Sequence, residues 1–265
     1  MTASSSLRFE TLGGARVLRA GLPLKAGTTR TRELLLCILA RAGLPISHLE
    51  ICDALWPEAD GDAARRAFDT TLHRLRHWLD APNVIALSMG QLKLDFEHCT
   101  LDVRELELIL AAPAEPQPAS VDTLMKLYRG RFLPELAHCP VAARYRARLH
   151  DRVLCHLERQ GSTLEQRGHF ADAAELYRSA LGVDDEHERF YQGLIRCAGE
   201  CDRPAEVTMT LRRCVGTLAE RLGSPASTAT LALARRYARP SRRARAARAQ
   251  PRILRSAPAP AGKLP

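Results

Sequence analysis

In the stretch DAARRAFDTTLHRLRHWLDAP, residues 62–82, Phe68, Leu72, Leu75 and Leu79 recur at spacings of four, three and four. At about 100° per residue these spacings gather the four side chains within about 60° of helix circumference, which predicts one α-helix burying one narrow row. Arg66, Thr70, His73, Arg74 and His77 fall on the far side of the same wheel, with Arg65 and Arg76 flanking it. The chain must therefore place a small apolar core on one side of this helix and leave a basic surface on the other. Taken alone, that surface is as consistent with a solvated face as with one that meets nucleic acid.

The flanking segments supply the core. LRFETLGGARVLRAGLPLKAG, residues 7–27, alternates apolar and polar residues in short pieces, with Gly13-Gly14 and Gly21 where hairpin turns are needed, and predicts a small antiparallel sheet. In TRTRELLLCILARAGLPIS, Leu34, Leu35, Ile38 and Leu39 form a helical stripe that Gly43 and Pro45 stop, so a first helix is expected to end near Ala42. Ser47 is placed to cap a short second helix with Leu49, Cys52, Leu55 and Trp56 as its apolar face, terminated by Pro57. After Pro82, VIALSMGQLKLDF reads as strand, a turn at Met89-Gly90, and strand. Sheet, three helices with the third one basic, and a terminal hairpin make the plan of a winged helix-turn-helix.

On these residues the chain resembles a known family. RAFDTTLHRLRHWL, from Arg66 to Leu79, is similar to the recognition helix of the OmpR type of response-regulator DNA-binding domain, in the pattern Arg-x-x-Asp-x-x-apolar-x-Arg-Leu-Arg-x-x-Leu. LLLCILARAGLPISHLEICDALWPEADGDAARRAFDTTLHRLR resembles, nearly position for position, the start of antibiotic-regulatory-protein-like activators. In those proteins a bacterial transcriptional activator domain follows the winged helix, and Leu55-Trp56-Pro57 is typical of them. Further on, GQLKLDFEHCTLDVRELELIL (90–110) and LYRGRFLPEL (127–136) resemble the junction and first helices of that second domain, and ERLGSPASTATLALARR resembles its closing helix. GHFADAAELYRSAL from Gly168 aligns 34 residues later with DRPAEVTMTLRRCV from Asp202, the period of tetratricopeptide helix pairs. The second copy is degenerate, with Pro204 and Thr208 where Phe170 and Ala174 stand.

The resemblance covers residues 7–237 and implies a mainly α chain with small β elements. Its expected domains are a winged helix-turn-helix at 1–98, an α-helical tetratricopeptide-like activator domain at 99–237 and a basic tail at 238–265. It implies a DNA-binding transcriptional regulator, expected to activate at promoters with RNA polymerase, to form a homodimer on double-stranded DNA, and to need no cofactor. Arg74 and His73 become base-edge candidates, since a long donor in the major groove reaches guanine acceptors. Arg66, Thr71 and Arg76 are phosphate candidates that would fix register, joined in the DNA-facing set by Thr70 and His77, while Asp69 is expected to orient a neighbouring arginine. The hairpin departs from the response-regulator pattern, because LSMGQLK offers Lys93 and no arginine at the wing tip. In the loop PEADGDA, Glu58, Asp60 and Asp62 stand where related domains touch RNA polymerase; they equally suit the positive end of the third helix dipole.

Charge and cysteine usage bound the alternatives. Nine arginines and one lysine lie from Arg235 onward with no acid, so the rest of the chain holds 29 basic against 30 acidic residues and is close to neutral. The tail reads either as a nonspecific nucleic-acid tether or as a solvated, disordered segment. The longest apolar run, LLLCILA, is far short of a membrane span, and the start of the sequence has no apolar core of an export signal, so a soluble cytoplasmic protein that does not engage membranes is expected. No receiver precedes the winged helix, so control by aspartate phosphorylation is not expected. The eight cysteines read as reduced thiols. His98-Cys99, His138-Cys139 and Cys155-His156 are neighbours that cannot share a helix face, and Cys197 with Cys201 lacks the further ligands of a zinc site. With no phosphate loop or nucleophile elbow, an enzyme is not expected. The competing reading is a protein-interaction adaptor that holds a partner on its helical repeats without binding DNA.

Overall fold

The computed structural model describes residues 7–25, 27–112 and 118–238, so the expectations for the basic tail lie outside the described residues. Strands β1 (Leu7–Glu10), β2 (Arg16–Arg19) and β3 (Leu22–Pro23) are followed by helix α1 (Thr29–Leu39), strand β4 (Ile46–Ser47) and helices α2 (His48–Leu55) and α3 (Gly61–Trp78). The hairpin β5 (Ile85–Ser88) and β6 (Gln91–Leu94) precedes strand β7 (Cys99–Leu101), helices α4 (Asp102–Ala111) and α5 (Pro118–Leu127) and a 3-10 turn at Pro134–Leu136. Helices α6 (Pro140–Gln166), α7 (Phe170–Ala180), α8 (Glu188–Glu200), α9 (Pro204–Leu222) and α10 (Thr228–Tyr237) complete the described chain. It is mainly α with small β elements. The described residues fall into two compact units: those within 7–163 together with 182–184, and 164–181 together with 185–238.

In the first unit, β1 pairs antiparallel with β2, Leu7 opposite Arg19 and Glu10 opposite Arg16, in a sheet ordered β3-β2-β1-β7. β7 runs parallel to β1, with Leu7 opposite Cys99 and Phe9 opposite Leu101. Cys99–Leu101, just past the boundary expected between residues 98 and 99, thus completes the N-terminal sheet. Asp102, fully buried at the start of α4, adds a second tie. Its carboxylate accepts hydrogen bonds from the Thr11 amide (2.8 Å) and hydroxyl (2.6 Å) and the Leu12 amide (3.1 Å), and the Arg129 guanidinium lies 3.2 Å away. A buried carboxylate without such donors would cost several kcal/mol, on the order of the penalty for any uncompensated buried charge.

The helical core of this unit is built from Leu34, Leu35, Ile38 and Leu39 of α1, Ile51 of α2, and Phe68, Leu72, Leu75 and Leu79 of the α3 row, all buried. Side-chain oxygens of Thr28, Ser47 and Asp60 cap α1, α2 and α3 by accepting from the amides of Thr31, Leu49 and Ala63. α1 ends at Leu39, earlier than Ala42, because Ala42 adopts a positive φ of 51°. The expected face of α2 is also corrected: Ile51 and Cys52 point inward while Leu49, beside the cap, is 63% exposed. In two turns of helix the Ser47 cap fixes the rotation, and the side chain beside the cap faces outward.

The second unit keeps the repeat. α7 starts at Phe170 and α9 at Pro204, 34 residues on, with α8 packed on both α7 and α9 and α10 on both α8 and α9. Ala173, Ala174, Leu176, Tyr177 and Leu181 are buried, while Leu164 and Phe170 are half-buried. Close approach explains two glycines: a Cβ at Gly193 would lie 2.3 Å from the Tyr177 ring, and one at Gly199 would lie 2.2 Å from the Tyr237 ring. The Tyr177 hydroxyl donates to Glu165 (2.6 Å), which also receives Arg196 (2.6 and 2.8 Å). Glu188 accepts the Ser227 amide at 2.8 Å, tying α8 to the start of α10.

Candidate nucleic-acid interface

α3 is held on one side and open on the other. Its buried residues are Ala64, Phe68, Thr71, Leu72 and Leu75, with Leu79 just beyond its end. Arg66, Thr70, His73, Arg74 and His77 are all exposed. These positions follow one another at i, i+4, i+7, i+8 and i+11, so they share one face. Among the described residues the side chains of Arg66, His73, Arg74 and His77 make no hydrogen bond or ion pair, whereas the Thr70 hydroxyl donates back to the Arg66 carbonyl at 2.9 Å. Four donors with long reach thus stand free on a rigid element. Asp69 pairs with Arg65 at 3.1 Å, one turn away on the same helix, and Arg65 also lies over the Phe68 ring.

Two of the sequence candidates are reassigned by the geometry. Thr71 is only 7% exposed and its hydroxyl donates to the Ala67 carbonyl at 2.7 Å, so it belongs to the core side and cannot reach a phosphate. At 100° per residue it lies about 60° beyond Phe68, close enough to the apolar row for a small hydroxyl that finds an acceptor on its own helix to be buried. Arg76 flanks the open face as expected, but its Nε and Nη2 both donate to the Ile85 carbonyl, at 3.2 and 2.7 Å. That side chain holds the wing to α3.

The wing itself is a two-residue hairpin in register, Ser88 opposite Gln91 and Ala86 opposite Lys93. Met89 and Gly90 both have positive φ, 50° and 75°, as a two-residue turn of the primed type requires. His48 fixes the tip: its amide donates to the Gly90 carbonyl at 2.9 Å, and its Nδ1 lies 2.9 Å from the same oxygen. Sequence reasoning missed His48 and Arg76 as supports of the wing, because each acts on a backbone carbonyl and no side-chain pattern signals that. Lys93 is exposed on β6. In the loop before α3, Glu58, Asp60 and Asp62 are exposed. Asp60 is engaged as the α3 cap, its Oδ1 accepting the Ala63 amide at 2.6 Å, and Asp62 lies in the first turn, where the helix dipole favours a negative charge.

Among the described residues Asp95, Glu97 and His98 bring possible ligand atoms within 4.8 Å of one another, an exposed acidic grouping of a kind common without an ion. All eight cysteines are free thiols. Burial pushes Cys99 and Cys197 up to about 12 and Cys37 and Cys214 up to about 11, which keeps these thiols protonated and poorly nucleophilic. Neighbours point apart as their spacing implies: His98 is exposed while Cys99 is buried, and Cys155 is exposed while His156 is buried. In the second unit a groove of about 590 Å³ runs along α7, α8 and α9, with Phe170, Leu194 and Met209 in its lining and Arg178 and Arg213 at its rim. Among the described residues no helix is long and apolar enough to cross a membrane.

The family model of the bacterial transcriptional activator domain matches residues 94–237, more than half of the chain. The chain belongs to the bacterial transcriptional activator domain family. This is a family of transcriptional regulators, not of enzymes. Among known proteins, the chain is 27% identical over 228 residues to the regulatory protein AfsR of Streptomyces coelicolor, an alignment covering 83% of this chain and 23% of AfsR. It is also similar to the solved structure of Mycobacterium tuberculosis EmbR in complex with a low-affinity phosphopeptide, with a TM-score of 0.61 and 21% identity over 88% of this chain and 65% of that one. At that identity the likeness is one of fold, a winged helix followed by the helical activator domain. The chain spans about a quarter of AfsR and just under two thirds of EmbR.

Proposed function

We propose that this activator-domain protein is a sequence-specific DNA-binding regulator that activates transcription, with α3 reading the major groove. One observation carries the reading: the open face of α3 presents Arg66, His73, Arg74 and His77 with no hydrogen-bond or ion-pair partner among the described residues, while its other face is the core of the unit. Arg74 and His73, near the middle of that face, read base edges; an unpaired guanidinium can give two donors to guanine O6 and N7. Arg66, Thr70 and His77 contact phosphates on either side, and Lys93 adds a phosphate contact from the wing. Arg76 positions the wing instead of meeting DNA. Glu58 and Asp62, with Asp60 holding the loop to α3, present an acidic surface to RNA polymerase. Two copies occupy half-sites roughly one helical turn apart, as tandem major-groove readers do. The groove along α7 to α9 gives the helical unit a place for a protein segment. The reading places the protein in the bacterial cytoplasm, with its DNA.

Selection of duplexes from a random pool by the full chain, followed by titration of the recovered and scrambled sequences, tests it. A recovered motif bound at least about 10³-fold more tightly than scrambled DNA is expected. Equal affinity for both leaves the adaptor reading in its place.

A further inference from the structure

Arg32, Leu35, Leu36 and Leu39 stand at i, i+3, i+4 and i+7 on α1 and so share one face, and that face lines a cleft of about 170 Å³ within the first unit. Val17 of β2, Leu24 just after β3 and Trp78 at the end of α3 add to its apolar wall. Val17, Leu35 and Leu39 are buried, whereas Leu24, Leu36 and Trp78 are half-buried, so part of this wall still meets water. The segment before α1 seats the indole: Trp78 Nε1 donates to the Lys25 carbonyl at 2.9 Å, and a Cβ at Gly27 would stand 2.9 Å from the ring. Glycine at 27 therefore answers the close approach of Trp78. A ligand would meet an aromatic wall already in place, which lowers the ordering cost of binding. Three charged side chains border the same cleft. Glu135 is engaged, its Oε1 accepting the Ala15 amide at 2.8 Å, and Arg16 lies 3.2 Å from Glu10. Arg32 is exposed, and among the described residues its side chain makes no hydrogen bond or ion pair. The cleft thus joins an apolar body to one guanidinium without a partner.

We propose that this cleft binds a small aromatic monocarboxylic acid, its ring between Trp78 and the leucines of α1 and its carboxylate on Arg32. An apolar cavity of about 150 Å³ holds one benzene ring, so the volume here admits a single ring with a small substituent and no second ring. The ring lies against the indole in the offset geometry that aromatic pairs prefer, and the carboxylate takes two donors from Arg32. A second carboxylate would meet Glu135, and an ammonium in place of the carboxylate would meet Arg32. The ligand bridges α1 and the last residue of α3, so the fold of the first unit holds it whether or not DNA is bound.

Fluorine NMR of 4-fluorobenzoate titrated into the full chain without DNA is the test, with 4-fluorobenzyl alcohol and 4-fluorobenzylamine as its neutral and cationic counterparts. A dissociation constant below about 1 mM is expected for the acid. Binding should be about ten-fold weaker for the alcohol, and for the acid on Arg32→Gln, because each removes the charge-assisted pair. Leu36→Trp fills the cleft and should not bind. The chain has two tryptophans, so Trp56→Phe isolates the emission of Trp78, which should change with the same midpoint. Thermal melting shows whether Leu36→Trp is folded; Arg32→Gln, at an exposed position, decides the matter if it is not. A dissociation constant above about 1 mM for the acid, or an amine bound as tightly as the acid, overturns the proposal. So does undiminished affinity in Arg32→Gln or in a folded Leu36→Trp, or a Trp78 emission that does not follow the titration. Equal affinity for target and scrambled DNA would contradict the DNA-reading assignment and leave this site standing.

Discussion

Arg76 shows how much a single side chain's partner matters to its role. It flanks the open side of α3, yet its Nε and Nη2 both donate to the Ile85 carbonyl at the start of the wing. Replacing it by alanine leaves that carbonyl without these donors beside a fully buried Ile85, at a cost of about 1–3 kcal/mol. Arg76→Ala should therefore melt at a lower temperature and lose affinity equally for target and scrambled duplexes, as paired melts and titrations would record. His156 makes a prediction of the opposite kind, one of pH. It is 1% exposed, its Nδ1 has no hydrogen-bond partner, and burial pushes its pKa below the ordinary 6.5. Unfolded chains then take up a proton at pH values where the folded protein stays neutral, so this contribution to stability is full above about pH 6.5 and declines as pH falls below it. Chemical denaturation between about pH 5 and pH 8 should show a steeper acid-side loss for the wild type than for His156→Leu; parallel curves would remove His156 as the cause.

At the scale of elements, what was legible in the sequence was local. The row Phe68, Leu72, Leu75, Leu79 and the stripe of α1 repeat at helical spacing within a few turns, and the Met89-Gly90 turn sits between two alternating segments, so α1, α3 and the hairpin could be read directly. The open face of α3 followed from the same wheel, apart from Thr71, whose burial depends on a hydroxyl finding the Ala67 carbonyl. β7 was not legible: three residues carry too little alternation, and its partner β1 lies some 90 residues upstream. The same distance hid the tie from Asp102 to Thr11 and Leu12. Residues 1–98 are therefore expected not to form a self-sufficient module. A chain ending at residue 98 loses the edge strand of its first sheet and the acceptor for two buried amides, a loss of several kcal/mol at about 1–3 kcal/mol for each unmet group. It should unfold at markedly lower denaturant than the full chain and without a sharp transition. A transition as sharp and as late as that of the full chain would show that β7 and Asp102 contribute little.

For the whole molecule, charge separates two kinds of attraction to DNA. The body of the chain is nearly neutral, and residues 239–265 hold seven arginines and one lysine without an acid. The tether reading predicts that this segment acts through phosphate charge, each neutralised phosphate adding about 0.9 to the slope of log affinity against log salt. Deleting it should flatten the salt dependence and weaken binding to all duplexes while the preference for the target survives, which a salt series on both proteins would reveal. The proposed function assigns preference itself to α3, and titration of the full chain and of Arg74→Ala on the selected duplex and on a scrambled one tests that most directly. Arg74 is exposed and makes no hydrogen bond or ion pair among the described residues, so its removal should leave melting unchanged while lowering discrimination between the two duplexes by about 1–3 kcal/mol, the worth of one good bidentate base contact. Undiminished discrimination in Arg74→Ala, or equal losses on both duplexes, would contradict the assignment of α3 as the helix that reads sequence through Arg74.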